Sequence, residues 1–175
     1  MTANKFTKKG FTLIELLIVI AIIGTLAVVV LLALNPVQQL ARTRDSGRIS
    51  GVTQLGHALE AYATSHNGVY VPEGGTWITA LVNAGEIATI PSPINYTISG
   101  TAGCTIGAQN FICYNANSAA GASPIVVYAR LESLSNISRC TAGQNAYAVY
   151  STADGRGGIV CRSTEPVPGN QTYAN

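Results

Sequence analysis

Lys8-Lys9-Gly10-Phe11-Thr12-Leu13-Ile14-Glu15 runs without a break into the apolar stretch Leu16 to Leu34, and the reading of these residues decides the reading of the chain. Of the 19 residues from Leu16 to Leu34, 14 are Leu, Ile or Val, and only Gly24 and Thr25 lie outside the strongly apolar set. As a helix rising about 1.5 Å per residue the stretch extends roughly 29 Å, enough to cross the hydrocarbon core of a bilayer. At roughly −0.3 to −0.6 kcal/mol for each Leu, Ile or Val, insertion gains about 4 to 8 kcal/mol, more than one acidic residue near the end costs. Basic flanks set orientation, so Lys5, Lys8 and Lys9 are expected to stay on the cytoplasmic side.

Glu15 is the anomaly. A carboxylate inside an apolar segment is costly unless it is neutralised, reaches the interface or meets a cation. Its spacing from Gly10 suggests the cation: if the peptide bond after Gly10 is cut, Phe11 gains a free amine one helical turn from Glu15. Two such helices side by side can pair the amine of one with the carboxylate of the other, which neutralises both and sets the axial register between subunits.

The basic leader, Gly10, Phe11 and Glu15, followed by a single apolar helix, resemble the class III signal of type IV prepilins and of the related type II secretion pseudopilins. The resemblance implies that a membrane prepilin peptidase cuts after Gly10 and methylates the new terminal residue, Phe11. An ordinary signal anchor with Glu15 in the headgroup region is the plain alternative. A cleavable secretory signal fits less well, because the apolar run exceeds the usual h-region and no A-x-A site follows it.

The chain has 175 residues, so one modest domain beyond the apolar helix is expected. Its 47% hydrophobic content comes partly from the span, and charge is sparse at 10%. The formal charge of +2 is owed to the leader, which holds all three lysines; without residues 1–10, seven arginines face eight carboxylates, a charge of −1. Such a balance argues against a broad nucleic-acid surface. Arg42, Arg44 and Arg48 are gathered just beyond the span and read as a solvated or headgroup-contacting face.

All four cysteines, Cys104, Cys113, Cys140 and Cys161, lie on the side that the lysines place outside the cytoplasm, where an even count favours two disulfides. Three pairings are possible. Cys104 with Cys113 and Cys140 with Cys161 is favoured, because each pair is nearest in sequence and brackets a plausible turn. The spacings do not resemble C-x2-C zinc sites.

Beyond the span, Asn35-Pro36 interrupts the helical pattern, and proline removes one backbone hydrogen bond, so a kink or an opened turn is expected at Pro36. Type IV pilins generally carry such a proline about one turn earlier, near Leu32 here, so this sequence departs from that pattern. Ile49, Val52, Leu55, Leu59 and Tyr62 then recur at three- and four-residue intervals, with Arg48, Gln54 and Glu60 off that stripe. The spacing predicts an amphipathic helix ending at Asn67-Gly68, a good C-cap, and hence helix over residues 12–66. Its apolar stripe needs a cover, which only the C-terminal hundred residues can supply. Thr76 reads as the N-cap of a short helix carrying Trp77, Ile78, Leu81 and Val82. Short apolar or alternating runs at Tyr96–Ser99, Phe111–Tyr114, Ile125–Leu131, Ala146–Ser151 and Gly158–Arg162, separated by Gly, Asn and Ser, predict an antiparallel sheet whose consecutive strands are neighbours. The tail from Thr164 reads as loose or edge-lying.

Chemistry is thinly supplied. His57 and His66 point in opposite directions on the predicted helix and read as exposed, and no H-E-x-x-H, P-loop, G-x-S-x-G or dinucleotide fingerprint occurs. Only two aspartates are present, and Asp154-Gly155 reads as a tight turn in preference to a calcium loop. Tyr128, Tyr147 and Tyr150 sit in predicted strands as packing residues with bonded hydroxyls.

These readings predict an α+β chain: leader 1–10, a long helix 11–66 spanning the membrane or forming a filament core over 11–34, and a head 67–175 whose sheet packs on the second half of the helix. The resemblance implies a pilin, a structural subunit of a type IV pilus or pilus-like filament, and not an enzyme. A type II secretion pseudopilin is the alternative, and a membrane-anchored binding or DNA-uptake protein is a third. Expected partners are further copies in a helical filament, prepilin peptidase, the assembly platform with its ATPase, and the membrane before assembly; no cofactor, metal or specific nucleic acid is called for. The expected location is the bacterial cytoplasmic membrane, then a surface filament.

Overall fold

A computed structural model describes residues 10–96, 104, 107–118 and 120–174. The chain divides into two units, Met1–Gln39 and Leu40–Asn175.

The first unit is α1, Leu13–Leu34, whose residues are apolar on every side and exposed wherever the side chain is described. Such a helix has no face to turn toward a core, as expected of a membrane span. Leu13–Ala33 is long and apolar enough to cross a bilayer, and none of it is buried. Thr25 hides its hydroxyl from that surface by donating to Ile22 O at 2.9 Å.

The long helix expected over 12–66, with its interruption at Asn35-Pro36, is present as two consecutive helices. α1 ends at Asn35, which takes the left-handed conformation at φ 39° and ψ 73°. α2, Pro36–Ser65, begins at once. Proline thus occupies the first position of a helix, where its missing N–H would have had no partner in any case. The left-handed residue is an asparagine, one of the few side chains that accept that conformation cheaply. At its far end α2 closes as the sequence predicts: Gly68, at φ 80°, donates its N–H to Ala63 O at 2.8 Å.

The second unit is built on a five-stranded antiparallel sheet in the order β1-β2-β3-β4-β5, a simple meander. Its strands are β1 Ala108–Gln109, β2 Ile112–Ala116, β3 Ile125–Arg130, β4 Asn145–Ser151 and β5 Arg156–Arg162. Four of the five predicted runs are found within a few residues of their expected bounds. The exception is Tyr96–Ser99: Tyr96 lies outside any strand and residues 97–99 lie outside the described residues. β1 escaped prediction because it is two residues long. Phe111 belongs to the turn before β2, since Asn110 and Phe111 both have positive φ, 51° and 64°, as a two-residue hairpin requires.

Residues alternate between the two faces with the period of the pleat. Tyr114, Ala116, Ile125, Val127, Ala129 and Tyr150 join Val52, Leu55 and Leu59 of α2 in the main core. α3, Trp77–Asn83, closes one side of this core with Trp77, Ile78 and Leu81. Trp77 satisfies its ring nitrogen on Gly107 O at 2.8 Å. The opposite face carries Cys113, Val126, Tyr128, Tyr147, Val149 and Val160, with Tyr173 of the C-terminal tail packed against them. The tail lies on the edge strand through the bridge of Tyr173 to Val160, and it is not loose. Gln171 N donates to Asp154 Oδ2 at 2.8 Å, and Tyr128 donates its hydroxyl to Glu165 at 2.8 Å. β3 is accordingly buried on both faces, which explains its continuous run of apolar residues.

Candidate functional site

Thr12 caps α1 with an extended backbone at φ −82° and ψ 152°. Its hydroxyl accepts from Glu15 N at 3.2 Å, and Glu15 Oε2 accepts in return from Thr12 N and Thr12 Oγ1, each at 2.8 Å. This reciprocal capping box satisfies two of the backbone donors that every helix start leaves open. It also means that Glu15 enters the span with hydrogen bonds already made. Gly10 and Phe11 precede the cap in irregular chain and are exposed, Phe11 at 82%. The bond between them is therefore open to approach from outside the protein. The leader charges Lys8 and Lys9 lie outside the described residues.

Cys104 is joined to Cys113 and Cys140 to Cys161, with Cα separations of 5.5 and 5.3 Å. The first bond ties the chain before β1 to β2. The second ties the turn after the short helix α4, Leu134–Ile137, to β5.

A cluster of charges that sequence reasoning missed lies where α2 meets the connection from β3 to β4. Asp45, Arg48 and Glu132 are 1%, 2% and 5% exposed. Arg48 Nη1 donates to Asp45 Oδ1 at 3.0 Å and to Glu132 Oε1 at 3.1 Å, and Arg44 Nε pairs with the same Glu132 oxygen. Asp45 further accepts from Glu132 N at 3.0 Å, Ser133 N at 2.9 Å and Asn136 Nδ2 at 2.9 Å. Arg48 Nη2 reaches Ile94 O and Asn95 O at 3.3 and 3.1 Å, and its guanidinium stacks 3.8 Å from the Tyr96 ring centre. Burial pushes the Tyr96 phenol up to about 12, against the opposing pull of Arg48. Three buried groups, Asp45, Arg48 and Glu132, and the half-buried Arg44 thus balance in charge. Each group has a hydrogen-bond partner although Arg48 Nε itself has none, close to the condition under which buried charge is tolerated.

The expectation of a solvated arginine face is therefore corrected for Arg44 and Arg48, and it holds for Arg42, which is exposed. Arg48 fell off the apolar stripe because periodicity scores an arginine as polar, whereas here it is buried with carboxylates from α2 and from a residue 84 positions away. No local pattern carries that partner. His57 and His66 are exposed; His57 Nδ1 lies 3.3 Å from the Tyr150 hydroxyl, and His66 stacks on Tyr62 with ring centres 3.7 Å apart. Among the described residues no group of three or more His, Cys, Asp or Glu side chains is placed to hold a metal ion.

The family model of the prokaryotic N-terminal methylation motif matches residues 5–31. This segment is the class III signal of type IV pilins and pseudopilins, and with the apolar helix and the antiparallel sheet it gives the chain a pilin-like α+β organisation. No curated protein and no solved structure matches the chain. The motif is of the kind that type IV pilins and pseudopilins carry, and Leu13–Ala33 behind it is long and apolar enough to anchor a chain in a membrane.

Proposed function

We propose that this protein is a pilin, a structural subunit of a type IV pilus or pilus-like surface filament. One observation carries the reading: the methylation motif leads directly into an apolar helix none of which is buried among the described residues. A surface of that kind must be covered by lipid or by other helices. In the proposed cycle, prepilin peptidase cuts after Gly10 and methylates Phe11. The helix then holds the subunit in the membrane until the assembly platform and its ATPase extract it. In the filament, apolar helices replace lipid for one another, and the Glu15 carboxylate turns from Thr12 to the Phe11 amine of a neighbouring copy. The heads face outward, with Cys104–Cys113 and Cys140–Cys161 limiting how far each can unravel under tension.

The N-terminal sequence and intact mass of the protein in sheared cell-surface material test this. The expected species begins at methylated Phe11 and is four thiol hydrogens lighter than the reduced chain. A protein confined to membranes and still beginning at Met1, in cells with active prepilin peptidase, rules the filament reading out. A type II secretion pseudopilin carries the same signal and helix, and would appear as the processed chain absent from long surface filaments.

A further inference from the structure

Beyond the span the chain carries seven arginines and seven carboxylates, and the structure sorts them. Two of each are consumed in the network of half-buried Arg44 with buried Arg48, Asp45 and Glu132. Of the remaining arginines, Arg42, Arg130, Arg139 and Arg162 gather at one end of the head unit. Asp45 binds the backbone of Glu132 and Ser133, which sets Arg130 two residues from the early turns of α2. Arg130 donates to Asn145 at 2.7 Å, and Asn145 is the cross-strand partner of Arg162. Arg139 and Arg162 flank the Cys140–Cys161 bond, whose Cα atoms are 5.3 Å apart, so their own Cα atoms are no more than about 13 Å apart. None of these four arginines makes an ion pair among the described residues, and Arg42 and Arg139 are exposed.

The carboxylates outside that network lie mostly at the opposite end. Glu60 lies near the end of α2, Glu86 accepts from Ser65 at the last residue of that helix, Glu73 caps the end of β2 through Ala116 N, and Asp154 sits in the turn from β4 to β5. Glu165 at the basic side and Arg156 at the acidic side are the exceptions, so a head unit with no net charge carries about three charges of opposite sign at its two ends.

The basic end is the one through which α2 enters the head unit. Arg42 lies nine residue steps beyond Ala33, the last residue of the span, about 14 Å of chain at helical rise. Headgroups occupy roughly the first 5 to 7 Å beyond the hydrocarbon, and the Debye length at physiological salt is about 8 Å. The chain thus tethers the first of these arginines within reach of the lipid surface in every anchored molecule, with no second copy needed. We infer that this end of the head docks on anionic phospholipid headgroups while the subunit is anchored, and that extraction into a filament breaks that contact. The inference rests on the membrane-anchored stage of the proposed function.

The test is amide hydrogen exchange of the full chain held at one copy per lipid nanodisc, in phosphatidylcholine alone or with phosphatidylglycerol added. Residues 134–144, exposed or half-buried in the structure, are expected to exchange more slowly in the anionic discs, by about fivefold for each arginine engaged. The protection is expected to vanish in high salt and in the variant Arg42→Gln/Arg139→Gln, which alters only exposed side chains without ion-pair partners. Equal exchange in both lipids overturns the inference and leaves the pilin reading standing. So does protection that is absent at one copy per disc and grows with protein density whatever the lipid, which would assign the basic end to the acidic end of a second copy. A chain that fails to enter the discs at all removes the membrane-anchored stage, and this inference with it.

Discussion

Replacing Asp45 with alanine removes the one group that holds α2, Arg48 and the β3–β4 connection at a single point. Three donors lose their acceptor, Glu132 N, Ser133 N and Asn136 Nδ2, and Arg48 Nη1 keeps only Glu132 Oε1. The cluster also changes from electrically balanced to carrying one uncompensated buried positive charge. Breaking one partner out of a buried ion pair costs about 3 to 5 kcal/mol, against a total domain stability of about 5 to 15 kcal/mol. For a head unit of 136 residues, Leu40–Asn175, this corresponds to a fall in Tm of roughly 10 to 20 °C. The assay is thermal and urea unfolding of the full chain in detergent, with both disulfides oxidised, followed by the tyrosine and tryptophan near-ultraviolet circular dichroism of the core. Arg48→Met alone should cost a similar amount, because it leaves two carboxylates facing Arg44. The double variant Asp45→Ala/Arg48→Met restores balance between Arg44 and Glu132, so it should cost less than the sum of the two, by about 0.5 to 3 kcal/mol. Single substitutions that cost under about 1 kcal/mol, or strictly additive ones, would refute the claim that charge balance holds this junction together.

Three further outcomes are expected. Glu15→Ala should leave membrane insertion intact while sharply reducing recovery of the protein in sheared filaments; normal filament yield would sink the proposed pairing with the Phe11 amine. Gly56 faces the Tyr150 ring so closely that an added Cβ would overlap it, so Gly56→Ala should lower the urea midpoint: overpacking costs about 1 to 3 kcal/mol and outweighs the gain in helix propensity of at most about 1 kcal/mol. Tyr96 and Tyr173 are raised by burial to about 12 from an ordinary value of 10.0, and burial raises Tyr114, Tyr128 and Tyr150 as well. A raised phenol favours the folded state below its unfolded value, so that contribution is complete below pH 10 and is lost as pH climbs toward 12. Urea midpoints measured across this window should fall steadily, in step with phenolate absorbance of the unfolding protein, and a flat profile would show that these hydroxyls are not withheld from solvent.

Which parts of the molecule could be read in advance follows the range of the physics behind them. α1 was legible because a run of apolar side chains identifies a span by composition alone, and the end of α2 at Gly68 because a left-handed residue leaves a local glycine signature. β3, β4 and β5 were legible because each is a run of six or seven residues with an apolar stretch bounded by turn residues; β1 was not, at two residues. α4 carries four residues and no buried side chain, so no periodicity marks it. The interruption at Asn35-Pro36 was legible because proline marks it locally, and the residue before the proline takes up the conformational change.

By itself the sequence determined what depends on neighbours along the chain: an apolar helix behind a methylation motif, an amphipathic helix after it, and a set of strands joined by short turns. Tertiary structure alone decided which charges are buried and which are free. Asp45 and Arg48 share a helix with exposed Arg42, yet they are sequestered because Glu132 and the backbone after β3 come to meet them across more than 80 residues. The same long-range pairing brings Arg130, Arg139 and Arg162 to one end of the sheet and leaves Glu60, Glu73, Glu86 and Asp154 at the other. Electrostatic energy depends on distance in space and on exclusion of water, and neither is written in the order of the residues.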